Sequence, residues 1–399
     1  MQHSTMQHST TQHSTRRTMQ HSTTQHSTRR TTRRTTAALA ALATAAVALA
    51  LTGCSTGSSA GTTSSEGSAI SAERCKENKD AGTITYLSGY QYQSSASILE
   101  YIAADELGYF KDLCLDVTLK PGSGDTAQNT KLLASGQATV SAVAEQDLIQ
   151  ARANGIDITG ISSYSNAGLD VLMTNEDITE LPQLDGQVVG HKGYVPASVR
   201  AMMEKAGVDW DSLTLVKEGY DPSVLPRKQN GLEALTGFVS NEPNLLEAAG
   251  DDVTVWQPVD YDIPSSIGAM AVNPAFAKAH PTAVEDVLRA ALHAYDFCSA
   301  SEAKAKQCVG YAAKLSGATY DTAQNTKIWT TETKVIADNP TPDQPLGGID
   351  PENVTKLVDM LHQFDIVKRS VTADDAKSWF TNEYIDAITK DGETVWPAP

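Results

Sequence analysis

Cationic residues are scarce. The 31 Lys and Arg are outnumbered by 48 Asp and Glu, leaving a formal charge of −17. A phosphate-binding surface needs clustered Lys and Arg, so nucleic acid is excluded as a partner. Histidine is sparse as well. Five of the nine (His3, His8, His13, His21 and His26) fall in a repetitive N-terminal stretch, leaving His191, His280, His293 and His362. No two histidines stand at H-x-x-x-H spacing, so no metal site is expected, and no cofactor. Walker and H-E-x-x-H patterns are both missing, which argues against an enzyme. No apolar run reaches the roughly 20 residues a membrane helix needs.

The longest apolar run, Ala37 to Leu51, follows Arg29, Arg30, Arg33 and Arg34 and ends in Leu51-Thr52-Gly53-Cys54. A basic flank, a short apolar core and small residues before a break are the marks of a secretory signal. The preceding "MQHST" and "TQHST" repeats are low-complexity sequence that cannot bury a core. Leu51-Thr52-Gly53-Cys54 resembles a bacterial lipobox, in which the cysteine thiol receives a lipid after cleavage just before it. "STGSSAGTTSSEGSA" then reads as a flexible Ser/Gly tether. The expected location is the cell membrane, lipid-anchored on its extracytoplasmic face.

Once Cys54 is set aside, the chain has Cys75, Cys114, Cys298 and Cys308. An even count in an oxidising compartment allows two disulfides in three connectivities. The short separation of Cys298 and Cys308, near an expected helix–turn–helix, favours that pair and leaves Cys75 with Cys114.

From Ile84 onward, strand and helix patterns alternate. "TITYLSG" is β-rich. "SASILEYIAADELGYF" places Ile98, Leu99, Ile102, Ala103 and Leu107 on one helical face, with Ser97 and Glu100 at capping-box spacing. "LDVTLKPG" alternates. "DTAQNTKLLASG" and "EQDLIQARANG" read as helices closed by Gly136 and Gly155. The rhythm restarts after "SNAGLDVLMTN" with "GQVVGHKG", "PASVRAMMEKAG" and "SLTLVKEG". Five helices are then expected at 281–298, 302–315, 320–337, 351–363 and 372–389. The fold class is α/β with two lobes, largely parallel sheets and a hinged cleft where the strand ends of both lobes face each other.

"ADELGYFKDLCLDVTLKPGSGDTAQNTKLLASGQA", "LPQLDGQVVGHKG" and "TGFVSNEPNLLEAAG" followed by "PVDYDIPSS" resemble bacterial solute-binding proteins for nitrate, taurine, alkanesulfonates and thiamine pyrimidine precursors. The N-E-P turn before a helix is most similar to the thiamine-pyrimidine branch. Coverage is roughly residues 84–300. Cys114 before Leu115, and Gln137-Ala138-Thr139 after Gly136, depart from the family pattern. The resemblance implies a two-lobed periplasmic-binding-protein type II architecture. It also implies a small-molecule solute, delivery to the permease of an ABC importer, and a monomer. Lobe 1 would take residues 83–166 and 266–399 and lobe 2 residues 167–265, behind a leader at 1–53 and a lipidated tether at 54–82. A lipid-anchored sensing partner is the alternative role. The same branch includes cytosolic enzymes that make the pyrimidine with iron and a Cys-rich stretch, which this chain lacks.

Candidate ligand contacts lie in loops after strands. Tyr90 and Tyr92 follow the first strand and can stack on a flat ligand. Gly122 and Ser123, in "PGSGDTA", lie before a helix whose first amides can hold a polar group. Glu145 opens a helix. Tyr194 sits in a strand–helix loop of the second lobe. Asn241 and Glu242 stand at a strand end before Pro243, and Asp260 lies where the chain turns back. With Glu145, Glu242 and Asp260 set against Lys192, the expected ligand is a flat, neutral or weakly basic N-heterocycle. Nitrate, taurine or an alkanesulfonate is the alternative.

Overall fold

The computed structural model describes residues 70–219, 221–318 and 320–399. The leader, Cys54 and the tether up to residue 69 lie outside the described residues. Residues 71–82, expected within the tether, contain helix α1 (Ala72–Asp80) instead. Ser71 caps it by accepting from Arg74 N, and the Arg74 guanidinium grips Asp286 and Glu285 at 2.7–2.8 Å.

The first sheet is fed by β1 (Thr83–Leu87), α2 (Leu99–Glu106), α3 (Tyr109–Asp112), β2 (Asp116–Lys120), α4 (Thr126–Ala134), β3 (Val140–Ala142), α5 (Glu145–Ala153) and β4 (Thr159–Ser162). The second takes β5 (Asp170–Thr174), β6 (Val188–His191), α6 (Ala197–Lys205), β7 (Thr214–Lys217), β8 (Leu232–Phe238), α7 (Glu242–Ala249) and β9 (Thr254–Trp256). β10 (Met270–Val272) then returns to the first sheet, giving orders β2-β1-β3-β10-β4 and β7-β6-β8-β5-β9. β1 pairs with β2 and β3 in parallel, as does β6 with β7 and β8. Each sheet also holds one reversed strand, β10 against β3 and β4, and β5 against β8 and β9.

The reversal follows from the path of the chain, which crosses between sheets after β4 and again after β9. The two crossovers run side by side: Tyr164 N donates to Ile267 O at 2.8 Å, and Ile267 N to Ser165 O at 3.3 Å. They approach so closely that a Cβ on Gly168 would meet Ser265 Oγ at 1.9 Å. Two adjacent extended segments make a natural bending line.

The C-terminal part runs through α8 (Pro274–Ala279), α9 (Pro281–Ser299), α10 (Glu302–Ser316), α11 (Thr322–Asp338), α12 (Pro351–Gln363), α13 (Ala373–Lys377), α14 (Glu383–Ile388), β11 (Thr389–Lys390) and β12 (Glu393–Thr394). α9 buries Ala283, Val284, Val287, Leu288 and Ala291 against α2, with α10 and α14 beside it. α12 does not stay with the first sheet. Its Val354, Leu357, Val358 and Leu361 share a core with Ile149 of α5 and with Val199 and Met202 of α6. The single helix expected at 372–389 is broken, because Trp379–Thr381 edges onto β4. Gly160 N donates to Trp379 O and Thr381 N to Gly160 O, both at 2.9 Å. Cys75–Cys114 and Cys298–Cys308 are both disulfide-bonded, with Cα atoms 5.2 and 5.9 Å apart. The first ties α1 to the segment between α3 and β2; the second staples α9 to α10.

Candidate functional site

The carboxyl ends of β1 and β2 carry two interlocked loops. Gly122 N donates to Tyr90 O and to Ser88 Oγ, each at 3.0 Å, and Gly124 N donates to Gly89 O at 3.1 Å. A Cβ on Gly122 would meet Ser88 O at 2.1 Å, so only glycine fits there. These two amides therefore bond within the protein. Gly124 (φ +93°) supports the Tyr90 ring, which a Cβ there would meet at 2.9 Å, and Tyr90 remains 46% exposed. The Tyr92 hydroxyl donates to Leu119 O at 3.0 Å, so this ring is tied to β2 and packs on the core. Ser123 is exposed, its hydroxyl 3.2 Å from Gln128 Oε1.

Glu145, at the start of α5, is buried. Asn353 Nδ2 donates to its Oε2 at 3.3 Å and to Ser265 O, on the second crossover, at 2.8 Å. Burial pushes its carboxyl up to about 7, against the opposing pull of Ser163 and Asn353. Glu145 is therefore a post at the crossovers.

In the second lobe, Tyr194 stands in the loop between β6 and α6, 74% exposed. Glu242, the first residue of α7, is almost completely buried, with three donors converging on it. Phe238 N reaches Oε2 at 2.7 Å, Asn241 Nδ2 reaches Oε1 at 3.1 Å, and the Lys192 ammonium forms an ion pair with Oε1. Lys192 Nζ also lies 4.6 Å from the centroid of Phe238, an aromatic that is 44% exposed at the end of β8. Glu242 thus organises Lys192 and Phe238. The exposed Asp260 lies apart, in a turn packed on α6. Its neighbour Asp262 pairs with Lys205 at the end of α6 opposite Tyr194.

Two further carboxylates were missed in the sequence. Asp147, in the first turn of α5, accepts from the Thr126 hydroxyl; Asp170, opening β5, accepts from Ser198 Oγ at 3.2 Å. Burial raises the Asp170 carboxyl to about 6; Ser198 and Lys192 oppose the rise and Asp147 of the other lobe adds to it. The Tyr194 phenol is pushed up by the surrounding protein, then by Asp170, Asp147 and Asp125. Asp125 and Asp147 precede the second sheet in the chain, so the Tyr194 phenol feels carboxylates from the segments of both sheets. Asp170 is likewise coupled to both Asp147 and Lys192. Phe238 was hidden as the last apolar residue of a strand, Asp147 as a helix-start acid, and Asp170 as the polar start of "DVLMT". Among the described residues, no group of three His, Cys, Asp or Glu could hold a metal, and no helix is long and apolar enough to cross a membrane.

Known proteins match this fold. A formylaminopyrimidine-binding protein from Halalkalibacterium halodurans is 24% identical over 300 residues, 73% of this chain and 88% of that protein. The periplasmic aliphatic sulphonate binding protein SsuA of Escherichia coli superposes with a TM-score of 0.54 at 14% identity, over 74% of this chain and 91% of that one. The periplasmic nitrate-binding protein NrtA of Synechocystis does so at 0.51 and 11% identity, over 76% and 87%. These likenesses establish the periplasmic-binding-protein fold. The family model described as NMT1/THI5 like matches residues 95–305, more than half of the sequence, and the chain belongs to that family.

Proposed function

We propose that this protein is an extracytoplasmic solute-binding lipoprotein. It closes about the paired crossovers on a small, flat, amino-bearing N-heterocycle and presents it to an ABC importer. The lobes are residues 83–166 with 266–399, and residues 167–265, with α12 packed on both. The family membership, the curated relative's name and the fold support transport of a pyrimidine-like solute.

The observation that carries the reading is the chemistry of the cleft. Exposed Tyr90, Tyr194 and Phe238 offer ring faces, and Asp147 and Asp170 offer acceptors from opposite lobes. The cation identified there, Lys192, is paired with Glu242. A sulfonate or nitrate entering this cleft faces two carboxylates, whereas an aminopyrimidine can stack on a ring and donate its amino hydrogens to them. A ligand touching both lobes stabilises the closed state by its differential contacts. Cys54 supplies the lipid anchor and the Ser/Gly stretch the reach.

The test is mass spectrometry of small molecules released on denaturing protein purified without added ligand. A stoichiometric aminopyrimidine supports the reading; a stoichiometric sulfonate overturns it.

A further inference from the structure

Hinge closure on the ligand, as proposed above, requires the two cleft-lining loops to move relative to each other, and one helix holds both. α11 crosses between the lobes. Asn325 Oδ1 accepts from Ser94 N at 3.0 Å, and Tyr320, just ahead of the helix, bonds Ser94 Oγ at 2.7 Å. On the other side, Gln324 Nε2 donates to Asn241 O at 3.4 Å and Asn244 Nδ2 donates to Thr331 Oγ1 at 3.2 Å. Between them lies Glu332, buried at 1% exposure. Ser95 Oγ donates to its carboxylate at 2.7 Å, Ala96 N at 2.7 Å and Ser240 Oγ at 2.7 Å. Ser95 and Ala96 close the loop that begins at Tyr90, and Ser240 stands two residues beyond Phe238. A single carboxylate therefore ties the stems of both aromatic loops.

We propose that Glu332 is a positioning residue that sets the spacing of the two cleft loops, and that α11 is a latch whose bonds to Ser240 and Asn241 must release before the second lobe swings open. Three donors meet one buried carboxylate, so the ties are charge-assisted bonds, stronger than those a neutral group in its place would accept. Burial raises this carboxyl to about 7, against the pull of Ser240, Ser95 and Ala96. The titratable groups that face it are Glu100 of α2, itself raised to about 7 by burial, and Tyr295 of α9. Neither bonds to Ser240.

The test uses the full chain without ligand. Nitroxide labels carried by ketone-bearing unnatural residues replace Lys120 and Lys217, at the exposed rims of β2 and β7. Pulsed electron–electron distances should be short and narrow in the parent at pH 8. They should lengthen and broaden in Glu332→Gln and in Ser240→Ala. Parent-like distances in both variants overturn the proposal. Ser240→Ala removes only the second-lobe tie and serves if Glu332→Gln does not fold. Both variants should also weaken binding of a hydroxymethyl aminopyrimidine by roughly fivefold, within the usual range of coupling. If the parent binds none of this probe, the ligand reading fails, while the distances still decide the latch.

Discussion

Glu242→Gln separates a structural carboxylate from a ligand-binding one. In the sequence, Glu242 stands where a ligand's amino group could donate to it. In the structure its side chain is 1% exposed and already receives Phe238 N, Asn241 Nδ2 and the Lys192 ammonium. Glutamine keeps the shape but has one acceptor oxygen and an amide nitrogen that is itself a donor. If its oxygen stays with Phe238 N, its NH₂ points at Lys192 and Asn241, donor against donor. A buried donor left without a partner costs about 1–3 kcal/mol, and breaking a buried ion pair about 3–5 kcal/mol. Lys192, at 16% exposure, can recover part of this loss from water. The expected loss is therefore about 2–4 kcal/mol, read as a lower urea midpoint at unchanged slope. Ligand binding should weaken as well, because Phe238 loses its backbone tether. A loss below about 0.5 kcal/mol with strongly impaired binding would contradict the reasoning and return Glu242 to the ligand surface.

The remaining predictions concern other parts of the molecule. Loops of 39 and 10 residues closed by Cys75–Cys114 and Cys298–Cys308 imply losses of about 4 and 3 kcal/mol when each pair is replaced by serine. Urea unfolding measures them, and native-like stability without either bond would refute the role assigned to them. Glu145 is held at about 7 in the folded chain against an ordinary 4.5, so the folded state binds this proton more tightly than the unfolded one. Its contribution to stability falls as pH rises from the ordinary carboxylate range through neutrality and is level above that. Glu145→Gln should flatten melting temperature against pH over that interval, and an unchanged slope would rule Glu145 out as its source. Cys54→Ser should release the protein from membranes or leave its leader uncut; a variant processed and membrane-held like the parent would dismiss the lipid anchor.

The elements with strong local signals were legible in the sequence. α4 starts where Asp125 accepts from Gln128 N, and Gly136 follows its end in the left-handed region, as the pattern suggested. Ser97 and Glu100 show the limit of such signals. Glu100 does reach back to Ser97 N at 2.6 Å, but the helix begins at Leu99, because Ser97 itself takes φ 63°. β10 was hidden inside "SSIGAMAVN", since a three-residue strand completed by two long-range neighbours has no period to read. The site was legible at the level of loops. Tyr90 and Tyr194 are exposed where strand ends place them, while Tyr92, Glu145 and Glu242 became internal supports. Nothing local separates an acid that faces a ligand from one that faces a lysine 50 residues away. The coupling of Asp147 to Asp170 exists only in the folded chain, between segments of different sheets, so no local pattern announces it.

Titration calorimetry of the parent and Phe238→Ala with a hydroxymethyl aminopyrimidine, taurine and nitrate tests the central claim most directly. The account predicts one-to-one binding of the pyrimidine near ~1 μM, about 8 kcal/mol, and no measurable heat from the two anions. Losing a ring that stacks on the ligand costs roughly 1–3 kcal/mol, so Phe238→Ala should bind about ten- to a hundredfold more weakly. Tight binding of taurine or nitrate, with none of the pyrimidine, would contradict the account.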